Sequence, residues 1–329
     1  MEKNILIIGT NFGVQGHLKV IRSLYKEFNI FLVSPNVKYK QIYKSKKLFL
    51  SDNYEEILKK YKFTMIVGCV KPFIQESLIK FIANNKIKTK YLMLEKPISI
   101  NKNVYKILLK YTTENKIKIF VNYTYSNLKI FKKLKKINIQ NIKNFNLLFE
   151  LNFLHHYYKG FNTSWKNFIA EGGGIVNYYL NHVIFSIISL FGDIKLHKVS
   201  LFTDKKKNLE KIKILFKKEK SIITFFVNMK EKRNYKHNYI FDSDKIKINF
   251  GTKNTNWYKN YYLKIFNKKL NTKSNYNYKE NMLTLIGENY KCLFRKDKNY
   301  NNYIWQISKT EKICNKINNN LLKYDFKKV

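Results

Sequence analysis

A lysine between an acid and a proline, Glu95-Lys96-Pro97, closes the apolar run 91–94. A lysine delivered at the end of a buried strand can hydrogen-bond a reacting hydroxyl or carbonyl, and burial or a neighbouring charge tunes its acidity. A second island is Gly172-Gly173-Gly174, with His182 eight residues after the last glycine, inside the largely apolar run 175–191. Only 11 of the 329 residues are glycine, so three together mark a turn or a close backbone approach. The imidazole that follows is an acid or base near neutrality. A third island, Gly9-Thr10-Asn11-Phe12-Gly13-Val14-Gln15-Gly16-His17, has the approximate spacing with which main-chain amides approach a phosphate, although Asn11 stands at the usual second glycine. Each island also has a plainer reading. Lys96 is one of many lysines, Glu95 a surface ion-pair neighbour, His182 a satisfied core histidine, and residues 9–17 an ordinary turn.

The elements that must position these residues follow from periodicity. Residues 5–8, 30–33, 64–67, 91–94 and 117–122 read as strands, and 17–28, 53–61, 73–84 and 104–113 as helices. Strands alternating with helices imply an α/β, doubly wound parallel sheet, a Rossmann dinucleotide-binding domain over residues 1–122. Lys96 then emerges at the carboxyl edge, where such sheets hold ligands. No Asp or Glu occurs from 28 to 51, so nothing there would repel a 2′-phosphate. Ser34, with Lys38 and Lys40, suits NADP better than NAD. After Asn122 the pattern changes to strands at 145–151, 196–202, 212–216 and 222–227. They imply an α+β domain over 123–329 with a mostly antiparallel, open-faced sheet. The polar stretches 267–281 and 296–303 read as loops, and 310–318 as a closing helix.

Composition narrows the partners. The formal charge of +42 invites a nucleic-acid reading, but the excess is lysine spread along the whole chain beside abundant Asn, Ile, Tyr and Phe. These residues share A/T-rich codons, and no nucleic-acid-binding signature accompanies them, so only weak, salt-sensitive polyanion binding is expected. Three widely spaced cysteines, Cys69, Cys292 and Cys314, form neither a disulfide framework nor a zinc pattern, which fits a cytoplasmic protein. The longest apolar run, 183–191, is too short for a bilayer, which needs about 20 residues. His155-His156 and Tyr157-Tyr158 are candidates for lining the cleft, and the absence of a carboxylate or Cys at ligand spacing argues against a metal there.

Taken together, Glu95-Lys96-Pro97, the triple glycine with His182, the start at 9–17, the segment Asp52 to Leu58, Trp165 and Leu190-Phe191-Gly192 resemble the Gfo/Idh/MocA oxidoreductase family. The resemblance implies a cofactor, NADP or NAD, contacted by Gly9, Asn11, Phe12, Gly13, Ser34, Lys38, Pro72, Glu95 and Lys96. It implies a sugar-type substrate near Lys96, Tyr123, Trp165, Tyr178, Asn181 and His182. It also implies that Asn122 borders the cofactor. In that family the helix after the glycines carries an Asp and, four residues on, a His or Tyr. Here the positions are Tyr178 and His182, so the catalytic set is Lys96, His182 and Tyr178. Phe185 stands where a further acid is often found, and Ser126 where many members have Arg. A tyrosine of ordinary pKa about 10 is a poor base near neutrality. The competing expectation is therefore a fold-retaining binding or regulatory protein without catalysis. A homo-oligomer through the second-domain sheet is implied by the resemblance alone, and no metal is.

Overall fold

Strands covered by helices on both faces must be apolar throughout. In the computed structural model, which describes residues 3–34, 48–161, 163–205, 208–254, 258–293 and 299–324, β1 (Asn4–Ile8) is buried at every position. It pairs with β2 (Asn29–Val33), which pairs in turn with β3 (Leu48–Ser51). On its other side lie β4 (Met65–Gly68), β5 (Tyr91–Leu94) and β6 (Lys118–Val121). All five pairings are parallel and the order is β3-β2-β1-β4-β5-β6, the dinucleotide-binding order. The crossover helices are α1 (Lys19–Leu24), α2 (Tyr54–Lys60), α3 (Pro72–Asn84) and α4 (Lys102–Glu114). Asn53 caps α2 by accepting from the Glu55 and Glu56 amides, and Asn101 caps α4 through the Asn103 amide. Pro72 opens α3, where its missing N–H costs nothing.

The helix expected at 17–28 starts earlier and ends earlier. Helical backbone runs from residue 11, passes through a wider π-helical stretch at Gly13–Leu18, and stops at Leu24. Gly16 serves packing here rather than a loop. A Cβ on it would lie 3.0 Å from Ile286 Cδ1.

The second sheet has eight strands in the order β14-β13-β12-β11-β7-β10-β9-β8. They are β7 (Phe145–Asn152), β8 (Lys195–Thr203), β9 (Leu209–Lys218), β10 (Ser221–Asn228), β11 (Lys236–Ser243), β12 (Ile246–Thr252), β13 (Tyr261–Asn267) and β14 (Thr272–Tyr278). Only the central β7–β10 pair is parallel. In β7 and β10 every second residue is buried, so one sheet face carries Phe145, Leu147, Phe149, Ile223 and Phe225 into the core. Against that core lie α5 (Lys129–Lys136) and α6 (Asn181–Phe191), with the Phe191 ring stacked on Phe241.

Sequence reading misplaced the end of the chain. The loop expected at 267–281 contains β14, an edge strand whose first six residues are exposed; its inner neighbour is β13. An edge needs no apolar side, and polar, lysine-bearing edges resist pairing with other chains, so the stretch carries no hydrophobic signal. Helix α7 (Met282–Leu293) was not anticipated, and the closing helix is the longer α8 (Tyr300–Leu321). That places residues 300–303 in a helix, while 296–298 lie outside the described residues.

The chain divides into two compact units. One comprises Met1–Thr124, Ala170–Gly172 and Met282–Ile304, the other Tyr125–Ile169, Gly173–Asn281 and Trp305–Val329. Among the described residues no helix is long and apolar enough to cross a membrane.

Candidate functional site

Because the six strands of the first unit run parallel, their carboxyl ends share one edge. Gly9 follows β1, Ser34 follows β2, Cys69 follows β4, Glu95-Lys96-Pro97 follows β5 and Asn122 follows β6. Gly9 has φ +148°, and a Cβ on it would sit 2.2 Å from the Cys69 carbonyl oxygen, so only glycine fits. The helix that begins at Asn11 turns its first-turn amides and positive dipole end toward this edge. Asn11 and Phe12 are exposed there and Gly13 is buried. Ser34 is buried, and its amide donates to the Ser51 carbonyl at 2.9 Å. Lys38 falls outside the described residues.

The turn that carries Lys96 is held by one side chain. Gln75 of α3, 1% exposed, places its Nε2 within 2.9 Å of the Glu95 carbonyl, 3.1 Å of the Pro97 carbonyl and 2.9 Å of the Ile98 carbonyl. Its Oε1 accepts from the Glu95 amide at 3.1 Å. The Glu95 carboxylate does not act as a surface ion-pair partner. Its Oε1 accepts from Asn122 Nδ2 at 2.7 Å and lies 2.9 Å from His17 Nε2. His17, fully buried, has its Nδ1 2.5 Å from the Tyr290 hydroxyl, and Asn289 Nδ2 donates to Asn122 Oδ1 at 2.7 Å. Lys96 itself is partly exposed, and its peptide bond to Pro97 is cis.

His17, Cys69 and Glu95 bring three metal-ligating atoms within 4.8 Å of one another. Burial, and then the Glu95 charge, hold the Cys69 thiol well above its usual pKa and so keep it protonated. Both His17 ring nitrogens already have partners. A cation would have to displace a proton from Cys69 and the His17–Glu95 contact.

Two other expected residues of this unit have structural places. Pro72 packs against Gly172, where a Cβ would lie 2.4 Å from the Pro72 Cβ. Tyr123 is 1% exposed, which removes it from an open surface.

In the second unit, Gly173 passes so close to the chain at 165–166 that a Cβ would meet the Trp165 carbonyl oxygen at 2.2 Å. Gly172 and Gly174 flank it with positive φ values of 82° and 76°. The helix that follows opens with a π-helical stretch, Val176–Leu180, and continues as α6. Tyr178 and His182 are both partly exposed, whereas Asn177 and Asn181 are buried. The Tyr178 ring meets His156 at 5.7 Å and Trp165 at 6.0 Å, both edge-on, with Lys166 Nζ 5.0 Å over its face. Asn181 is wholly buried and neither atom of its amide has a hydrogen-bond partner.

His182 lies with its ring stacked on Tyr125, centroids 5.4 Å apart and planes 27° from parallel. The Tyr125 hydroxyl is 3.2 Å from His237 Nε2 and 3.3 Å from Nδ1, and the Tyr261 hydroxyl is 2.6 Å from His237 Nδ1. Burial lowers the His237 pKa to about 3, so the ring is neutral. His155 is wholly buried rather than lining an open surface, and burial lowers its pKa to about 3 as well. In half-buried His156, burial and then Lys166 and Lys159 lower it to about 4.

Sequence reasoning singled out Lys96, His182 and the glycines but missed their supports: Gln75, His17 and Tyr290 in one unit, Tyr125, His237 and Tyr261 in the other. His17 lay in the first glycine island and could have been weighed. Gln75 and His237 carry no local signal.

No family model and no curated protein matches this chain by sequence. Solved structures match it over nearly its full length. A 3-ketoreductase from Actinomadura kijaniata, KijD10, solved with NADP and TDP-benzene, superposes with a TM-score of 0.74 at 9% identity, covering 99% of this chain and 98% of that one. A dehydrogenase, MviM, from Clostridium difficile gives 0.68 at 17% identity over 97% and 100% of the chains. A Gfo/Idh/MocA family oxidoreductase from Vibrio cholerae gives 0.66 at 13% identity over 97% and 99%. A dinucleotide-type parallel sheet joined to a mostly antiparallel one thus defines a two-domain α/β class. Within that class the chain has the fold of the Gfo/Idh/MocA oxidoreductases.

Proposed function

We propose that this chain is an NAD(P)-dependent oxidoreductase that moves a hydride to or from a sugar or nucleotide-sugar derivative. Lys96 and His182 are its polarising and acid–base pair. The observation that carries this reading is the Glu95-Lys96-Pro97 turn, clamped by Gln75 at the carboxyl edge of a β3-β2-β1-β4-β5-β6 sheet. A main chain held at four points gives the Lys96 side chain a fixed root, which is what orienting a reacting oxygen requires.

The residues at that edge fit a dinucleotide. The first-turn amides from Asn11 onward are suited to the pyrophosphate, Gly9 admits close approach, and Ser34 stands where a ribose or its 2′-phosphate would lie. NADP is the favoured form, because no Asp or Glu occurs in the sequence from 28 to 51 and because KijD10 was solved with it. When bound, the nicotinamide supplies or accepts the hydride at its C4. Lys96 donates a hydrogen bond to the substrate oxygen and stabilises its developing charge. His182 delivers a proton to that oxygen during reduction, or removes it during oxidation. Tyr178, beside Lys166 and Trp165, contacts the substrate rather than serving as base. The nucleotide-sugar class rests on the TDP-benzene bound to KijD10 and on the partly exposed aromatic set of Tyr178, Trp165 and His156.

Titration with NADPH and NADH, followed by nicotinamide fluorescence, tests the reading. Micromolar binding, tighter for NADPH, is expected. A folded protein that binds neither would sink it. The rival reading, a binding protein of the same fold without catalysis, draws on Tyr178 and Phe185 standing where carboxylates are expected. It predicts nucleotide binding without turnover of any sugar substrate.

A further inference from the structure

The helix that carries His182 has no carboxylate one turn back to orient the imidazole, since Tyr178 occupies that position. We propose that Tyr125 is the positioning residue for His182, holding the imidazole by its face and itself held by His237 and Tyr261. This rests on the reading of His182 as the acid–base group.

First, the His182 and Tyr125 rings are stacked within 27° of parallel, and Tyr125 is only 6% exposed, so it forms a fixed floor under a partly exposed imidazole. Second, that floor is pinned. The Tyr125 hydroxyl lies 3.2 Å from His237 Nε2, and the Tyr125 ring meets the His237 ring edge-on at 5.1 Å. The Tyr261 hydroxyl lies 2.6 Å from His237 Nδ1. Third, His237 is a strand residue of β11 walled by Phe149 at 5.2 Å and Tyr239 at 5.4 Å, and Tyr261 belongs to β13. The orientation of the imidazole is therefore referred to a rigid sheet through two side chains.

Such a face contact differs from a carboxylate in what it stabilises. A carboxylate accepts from one ring nitrogen and fixes the tautomer. An aromatic face restricts tilt and favours the imidazolium through the ring quadrupole. The buried trio can do this without carrying charge. His237 stays neutral because it is desolvated, and burial likewise raises the Tyr125 and Tyr261 pKa values far above the ordinary range. A neutral imidazole has one donor and one acceptor, so it can serve one tyrosine hydroxyl with each.

The test compares Tyr125→Phe with Tyr125→Leu in the full-length protein, using NMR of the imidazole carbon-bound protons and steady-state kinetics. The His182 signal, assigned by its loss in His182→Gln, is expected to be displaced upfield by the Tyr125 ring current. The displacement should persist in Tyr125→Phe and collapse in Tyr125→Leu. Turnover in Tyr125→Leu should fall about tenfold in kcat with KM little changed, as loss of a partly desolvated cation–π contact implies. Tyr125→Phe should stay within about threefold, since it keeps the ring. An undisplaced His182 signal in the unmodified protein, or one unchanged in folded Tyr125→Leu, overturns the proposal. So does an equal kcat loss in both variants, which would assign the effect to the hydroxyl. The NMR arm needs no turnover. A displaced His182 signal in a protein that turns over no substrate would leave Tyr125 in its positioning role and remove the oxidoreductase reading alone.

Discussion

At the carboxyl edge of the parallel sheet, a single buried amide, Gln75, holds four main-chain groups around Lys96. His182 instead stacks on the face of Tyr125, which a neutral histidine backs. The two arrangements suit the groups they serve. A lysine side chain is long and mobile, so directional hydrogen bonds must fix its root. An imidazole is short and flat, so a ring beneath it fixes most of its freedom. Hydrogen bonds specify position sharply but fail together when the central partner is lost, because every group left behind is buried and unsatisfied. Ring packing is less directional and degrades by steps.

Removing the two groups proposed to react should give the largest effect and treat both regions alike. Lys96→Ala and His182→Ala are each expected to lower kcat by about 10²–10⁴-fold. NADPH affinity should stay within about threefold in both, since the first-turn amides proposed to hold the pyrophosphate are left intact. Kinetics with parallel fluorescence titration would expose a merely structural role as loss of cofactor affinity.

Gln75→Leu should separate the regions. It leaves the Glu95 amide and three carbonyls without their partner, at a cost of about 2–4 kcal/mol in unfolding free energy. Urea denaturation measures it, and a loss under about 1 kcal/mol would mean that the turn holds itself.

The acid side of the stability curve should belong to the second unit. His155 and His237 have folded pKa values of about 3, below the ordinary 6.5. Between those values the unfolded chain binds protons that the folded one does not. The stability is therefore complete above about pH 6.5 and is lost as pH falls from there toward 3. Each histidine contributes a slope approaching about 1.4 kcal/mol per pH unit. His155 and His156 still contribute, so His237→Phe should lower the slope measured by denaturation between pH 6.5 and 4.5 by about a third, and an unchanged slope would assign it elsewhere.

The smallest effect is a gain. Asn181→Leu matches the shape of a buried amide whose two polar atoms lack partners, and should raise stability by about 1 kcal/mol. It should leave kcat unchanged. A large fall in kcat with intact folding would restore Asn181 as a substrate contact.

What could be read locally and what could not divides along physical lines. The short strands at 5–8, 30–33 and 91–94 were legible because burial on both faces demands an unbroken apolar run. The helix carrying His182 was legible because a triple glycine precedes a long apolar stretch. β14 was not, since an edge strand has no buried side to imprint a period. β11 to β13 mix Tyr, Asn and Lys with Ile and Phe in a way that weakens the alternation. The return of Met282–Ile304 to the first unit, which brings Tyr290 to His17, depends on where the chain goes between, and no local pattern encodes that.

By itself the sequence determined which side chains could be candidates for chemistry, Lys96 and His182 among them, and five of the six strands of the first sheet, β3 at Leu48–Ser51 being missed. Composition, periodicity and glycine placement are local quantities, and they suffice for that. Only the tertiary structure decided what holds those side chains. Gln75 and Lys96 are 21 positions apart, and Tyr125 and His237 are separated by 112. Contacts at such distances are set by sheet order and register, and these follow from how the whole chain buries its apolar faces.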